Sequence, residues 1–133
     1  MSVGTARYTT AFTPSTTPFA PDANTALLAL QTGNFLDTSP KALTATITGT
    51  PSVQRFSPFN PVIQTPQSYS GYFDGTGDYL TVGSNAAFGF GTGDFTIEFW
   101  AYSTSSARQD WIDISDGSNR VLFYYTGSAV TFY

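Results

Sequence analysis

The sequence predicts an all-β fold of short antiparallel strands, and three observations carry that reading. Aromatic residues make up 17% of the chain and charged residues only 11%, which is too apolar and aromatic for a disordered polypeptide. Threonine and glycine are too frequent for a helical chain. In the second half, short alternating runs are punctuated by turn residues roughly every 8–12 positions, the spacing of a sandwich or barrel. A length of 133 residues suits one domain, or one domain with a short arm.

Residues 1–24 read as an extended arm. Pro14, Pro18 and Pro21 fix φ and remove backbone donors, so neither helix nor central strand suits this stretch. It is either a flexible tail or an arm that becomes ordered on a neighbouring subunit. Tyr8, Phe12 and Phe19 favour docking, because a pure spacer needs no aromatic side chains.

Residues 25–133 read as the β-domain. Residues 25–31, Thr-Ala-Leu-Leu-Ala-Leu-Gln, are too few for a stable isolated helix and are expected as a buried strand. Residues 43–48 alternate with period two. Gly49-Thr50-Pro51 turns the chain, and residues 53–56 continue as a second strand. A loop rich in Pro and Ser follows over residues 58–68. Residues 71–75 and 78–82 are then expected as two strands of a hairpin closed at Gly75-Thr76-Gly77, where glycine supplies the positive φ of a tight turn.

The strongest strand pattern spans residues 95–102. Phe95, Ile97, Phe99 and Ala101 fall on one face and are expected to point at the inter-sheet core. Thr96, Glu98, Trp100 and Tyr102 fall on the other, facing a groove or a second packing layer. Strands at residues 110–115, 120–125 and 129–133 follow, with turns at Asp116-Gly117-Ser118-Asn119 and Thr126-Gly127-Ser128. The pattern stops in mid-strand. Either another chain completes the sheet or these residues are the front part of a longer protein, and the second is the favoured expectation.

Composition closes off whole classes of chemistry. With no Cys and no His, disulfides, thiolate metal sites, zinc centres and Cys–His or Ser–His catalysis have no residues to act through. Five scattered Lys and Arg on a chain of net charge −4 offer no basic cluster for nucleic acid. No apolar run approaches the ~18 residues of a membrane span, and Met1 to Thr5 do not look like a secretory signal.

Two motifs carry a family resemblance. Tyr72-Phe73-Asp74-Gly75-Thr76-Gly77-Asp78-Tyr79-Leu80-Thr81-Val82, then Phe88-Gly89-Phe90-Gly91-Thr92-Gly93-Asp94-Phe95-Thr96-Ile97-Glu98-Phe99-Trp100, resemble the laminin G-like domain of the concanavalin A-like lectin/glucanase group in order and spacing. The resemblance covers residues 24–133 and implies an antiparallel β-sandwich whose C-terminal strands are absent here. Residues 53–59 together with residues 95–100 resemble versions found in marine phage and cyanophage-type virion proteins. That similarity implies a tail-fibre, tail-associated or capsid-associated structural role in a virion, with copies of itself or other virion proteins as partners. The alternative it leaves open is an adhesin that binds host surface glycans.

Glucanase members of the group place their carboxylates on one strand as Glu-x-Asp-x-x-Glu. The nearest segment here, Asp110-Trp111-Ile112-Asp113-Ile114-Ser115-Asp116, sets Asp113 beside Trp111 and Ser115 by strict alternation, so no enzymatic role is expected. Calcium is a candidate ligand through Asp74, Asp78 and Asp116; the competing reading is that each aspartate caps local backbone amides in its turn. For glycan or partner contact the candidates are Trp100, Tyr102, Trp111, Asn119, Arg120 and Tyr124. Against that stands the use of Trp and Tyr as core or interface fillers.

Overall fold

A computed structural model describes residues 1–59, 69–115 and 118–133. The chain divides into two compact units, residues 1–98 and residues 99–133. Among the described residues the fold is all-β with small antiparallel sheets and a single 3-10 turn at Ala86–Phe88.

In the first unit, β1 (Ser2–Val3) pairs antiparallel with β6 (Phe95–Thr96), and Ser2 also bridges to Thr25. Two further pairs join β2 (Ala45–Thr48) to β5 (Tyr79–Val82) and β3 (Ser52–Gln54) to β4 (Ser70–Tyr72). The segment 45–54 therefore runs antiparallel to the segment 70–82 as one long, interrupted ribbon. Between Thr48↔Tyr79 and Ser52↔Tyr72, residues 49–51 face the longer excursion 73–78.

That register corrects the expected hairpin. The strands flanking Gly75-Thr76-Gly77 pair with β2 and β3 rather than with each other, so these residues form an excursion inside a ribbon. Glycine is still required there, since Gly75 and Gly77 have φ of 82° and 74°.

Residues 25–31 are not a strand. The Leu28 amide, which a ladder would need, donates instead to Asp37 Oδ1 at 2.8 Å, and Leu30 lies at φ 65°. Asp37 also accepts from the Ser39 amide, the Ser39 hydroxyl and the Leu43 amide at 2.8–2.9 Å, knotting residues 28–43 around one carboxylate. Ala26 and Leu28 remain buried, so the apolar reading of the segment survives while its backbone form does not.

The strand expected over residues 95–102 shrinks to Phe95–Thr96 for want of a partner. Thr96 faces Ser2, so the ladder toward Ile97 would have to continue through Met1, whose ammonium donates to Leu27 O and whose carbonyl accepts from the Ala26 amide instead. Phe95 does not enter a core either; it is exposed and stacks on Phe90 at 4.6 Å.

The second unit is a three-stranded meander, β7 (Gln109–Ser115), β8 (Arg120–Tyr125) and β9 (Val130–Phe132), in the order β7-β8-β9. These strands match the sequence expectation closely. Gly127, at φ 87°, closes the β8–β9 turn, and a Cβ there would collide with the Ser106 backbone. The expected turn before β8 begins at Asp116 and Gly117, which lie outside the described residues, as does most of the expected loop at residues 58–68.

Candidate functional site

The meander carries the densest grouping of candidate contact residues, and one irregularity decides how they are sorted. Asp110 pairs with Tyr124, yet Ile112 pairs with Phe123. Trp111 is therefore the extra residue of a β-bulge, and the alternation of β7 resets across it. Residues opposite one another share a face, so Ile112, Ile114, Val121, Phe123, Tyr125 and Phe132 define an apolar side.

Trp111 joins that side. Its ring is parallel to that of Tyr125, with centroids 5.6 Å apart and 7° between planes, and meets Phe99 edge-on at 5.8 Å. Phe99 is also edge-on to Phe123, which packs on Phe132 at 4.8 Å. These offset and edge-to-face geometries suit the ring quadrupoles. The cluster is half-covered at best: Phe132 is 58% exposed and Val130, opposite Tyr125, is 60% exposed.

Strict alternation predicts Asp113 beside Trp111, and the bulge overturns it. Asp110 and Asp113 lie opposite Tyr124 and Leu122, on the other side of the sheet from Phe123. Each holds an arginine. Arg120 clasps Asp113 with two bonds, Nε to Oδ1 at 2.8 Å and Nη2 to Oδ2 at 2.7 Å. Arg108 Nε reaches Asp110 Oδ1 at 2.8 Å, while its guanidinium sits 4.3 Å above the Tyr124 ring.

The forked bond from Arg120 holds the Asp113 carboxyl below the ordinary aspartate range, and its partner's guanidinium is raised in turn. Asp110 raises Arg108 in the same way. This side therefore presents planar guanidinium donors and carboxylate acceptors beside a phenol ring. Such groups suit hydrogen bonding and stacking.

The six candidate contact residues are thus not one patch. Trp111 belongs to the apolar side; Arg120 and Tyr124 belong to the charged side; Asn119 is exposed just before β8. Trp100 and Tyr102 lie outside the strands, 49% and 78% exposed. Arg108, Asp110 and Asp113 were not among the sequence candidates. The available signal was the Arg-x-Asp-x-x-Asp spacing with Arg120 across the turn, a cross-strand charge pattern that strict alternation obscured.

In the first unit, the calcium candidates Asp74 and Asp78 share the excursion 73–78. Asp78 Oδ1 accepts from the Thr50 amide at 2.7 Å and Oδ2 from the Asp74 amide at 3.2 Å; Asp74 Oδ1 accepts from the Thr76 amide at 2.7 Å. Three of their four carboxylate oxygens thus accept backbone amides. Asp116 lies outside the described residues. Among the described residues, no three acidic side chains converge as a metal site.

The arm candidates turn back on their own unit. Tyr8 stacks on Phe12 at 3.8 Å and donates to Glu98 Oε2 at 2.6 Å, a bond that raises the phenol pKa; Phe19 meets Phe59 edge-on at 6.4 Å. Among the described residues no helix is long and apolar enough to cross a membrane.

No protein-family model, curated protein or solved structure matches the chain.

Proposed function

We propose that this protein is a non-enzymatic structural module that works by docking, with the concanavalin A-like, laminin G-like β-sandwich as its parent fold and the virion of a phage as its setting. The observation that carries the docking reading is the placement of apolar residues. Among the described residues no side chain is fully buried, the buried hydrophobic residues are Ala26, Leu28, Phe59 and Leu122, and Phe132, Val130, Ile47 and Phe56 are each half-exposed or more. Hydrophobic area left open at about 25 cal/mol per Å² is a driving force for association. The parent fold is supported by the two sequence motifs, and the virion setting by the resemblance of residues 53–59 together with residues 95–100 to phage virion proteins.

The test is sedimentation of the purified chain across micromolar concentrations. Self-association that Phe132→Ser weakens is the expected result. A chain that stays monomeric and indifferent to Phe132→Ser across that range would overturn the docking reading.

Glycan adhesion is the second reading. It is favoured by Trp100 and Tyr102, which stand open, and by the planar Arg–Asp pairs around Tyr124. Glycan-array binding lost on Trp100→Ala or Tyr124→Ala, with folding intact, would select it. Trp111→Ala is a poor probe for this purpose, because Trp111 belongs to the aromatic stack of the apolar side.

A further inference from the structure

Residues 1–7 occupy a slot in the first unit, held almost entirely by contacts with distant parts of the chain. On one side Val3 N donates to Asn24 O at 3.0 Å and Ala26 N to Met1 O at 3.0 Å; on the other, β1 pairs with β6 and Gly4 N donates to Asp94 O at 2.8 Å. Arg7 locks the insertion. Its Nε donates to buried Ser2 at 2.7 Å, its Nη2 to Asp22 at 2.9 Å, and its backbone amide to Thr96 Oγ1 at 3.0 Å.

The connecting segment is built differently. Residues 8–21 contain no strand or helix and no buried residue, and they include Pro14, Pro18 and Pro21. Because Arg7 meets Asp22, this segment is a closed loop with its ends in contact. Fully extended, the same residues would span about 45 Å. Opening the loop breaks few contacts within it, and every arm–slot bond can be remade identically by an arm from another molecule. That is the condition under which exchange of an element costs little.

We infer that the partner of this slot is a second copy of the chain: residues 1–7 of each copy fill the slot of the other, with residues 8–21 as the crossing segment. The inference rests on the self-associating reading above and gives it a mechanism. Charge and shape complementarity are guaranteed, since the exchanged arm is the one the slot already fits.

The chain has no cysteine, so two introduced thiols report the exchange directly. Gly4 N bonding to Asp94 O makes Val3–Phe95 the neighbouring non-hydrogen-bonded pair, whose Cα separation of about 4.5 Å suits a disulfide. Val3→Cys and Phe95→Cys single variants, unfolded and refolded together and then oxidised, should give a disulfide-linked species at twice the 14.3 kDa chain mass. Absence of that species, while a chain carrying both substitutions closes its disulfide at monomer mass, would show that the arm stays in its own slot. Sedimentation of a chain lacking residues 1–7 is the second measurement. Loss of the dimer supports exchange, whereas a dimer that persists without the arm overturns it and leaves association through the sheet face standing.

Discussion

Trp111 and Tyr125 lie ring on ring because Trp111 is the extra residue in β7: the bulge between Asp110 and Ile112 turns its side chain onto the face of Phe123 and Tyr125. One inserted residue therefore decides two surfaces at once. It adds an indole to the apolar side and brings Asp110 and Asp113 together on the other.

Trp111→Ala should destabilise the meander by about 1–3 kcal/mol. Loss of a fully buried Trp costs about 3–5 kcal/mol, and Trp111 is only partly covered. Trp111→Phe should cost less, since a ring still meets Tyr125 and Phe99. Urea denaturation of the two variants beside the native chain gives the order directly.

Asp78→Ala should loosen the excursion 73–78, because its carboxylate accepts from the Thr50 amide between β2 and β3 and from the Asp74 amide within the excursion. These bonds are exposed, so the expected loss is about 1 kcal/mol. Gly49→Ala should be worse: Gly49 has φ 80° and a Cβ there would strike the Asp78 carboxylate. If Gly49→Ala had the stability of the native chain in thermal unfolding, this packing of Gly49 against Asp78 would be wrong.

Asp37 should make the first unit acid-sensitive. Burial pushes its carboxyl upward, but the amides of Leu28, Leu43 and Ser39 and the Ser39 hydroxyl outweigh that and leave the pKa lowered. A lowered folded pKa means stability that is present above the unfolded value near 3.9 and lost as pH falls through the folded value. Denaturant midpoints should therefore drop toward acid pH. In Asp37→Asn the midpoint should be lower at neutral pH, with a shallower acid decline.

Arg7→Ala should free the arm, with a loss of about 1–3 kcal/mol, because Ser2 and Thr25 are buried and each takes a bond from the guanidinium. Arg7→Lys should rescue little, since an ammonium cannot fork to Ser2 and Asp22 together. Hydrogen exchange at the Val3 and Gly4 amides is the readout, and unchanged protection in Arg7→Ala would refute the clamp.

Local sequence alone sufficed for the class and for much of the strand inventory. Short alternating runs bounded by Gly-containing turns located β2, β5, β7, β8 and β9 to within a residue or two, because side-chain alternation and positive φ are properties of neighbours along the chain. The absence of His and Cys removed whole families of chemistry for the same reason.

Pairing was decided only in three dimensions. A strand exists through its partner, so the apolar pattern at residues 95–102 yields two strand residues where β1 ends, and the glycine turn at residues 75–77 yields an excursion because the flanking strands are claimed by β2 and β3. Leu28 lost its place in a strand to a carboxylate on residue 37, a contact no window along residues 25–31 contains. The bulge at Trp111 shows the same limit most sharply: alternation tells which residues would share a face, but only the ladder of the neighbouring strand reveals where the count slips.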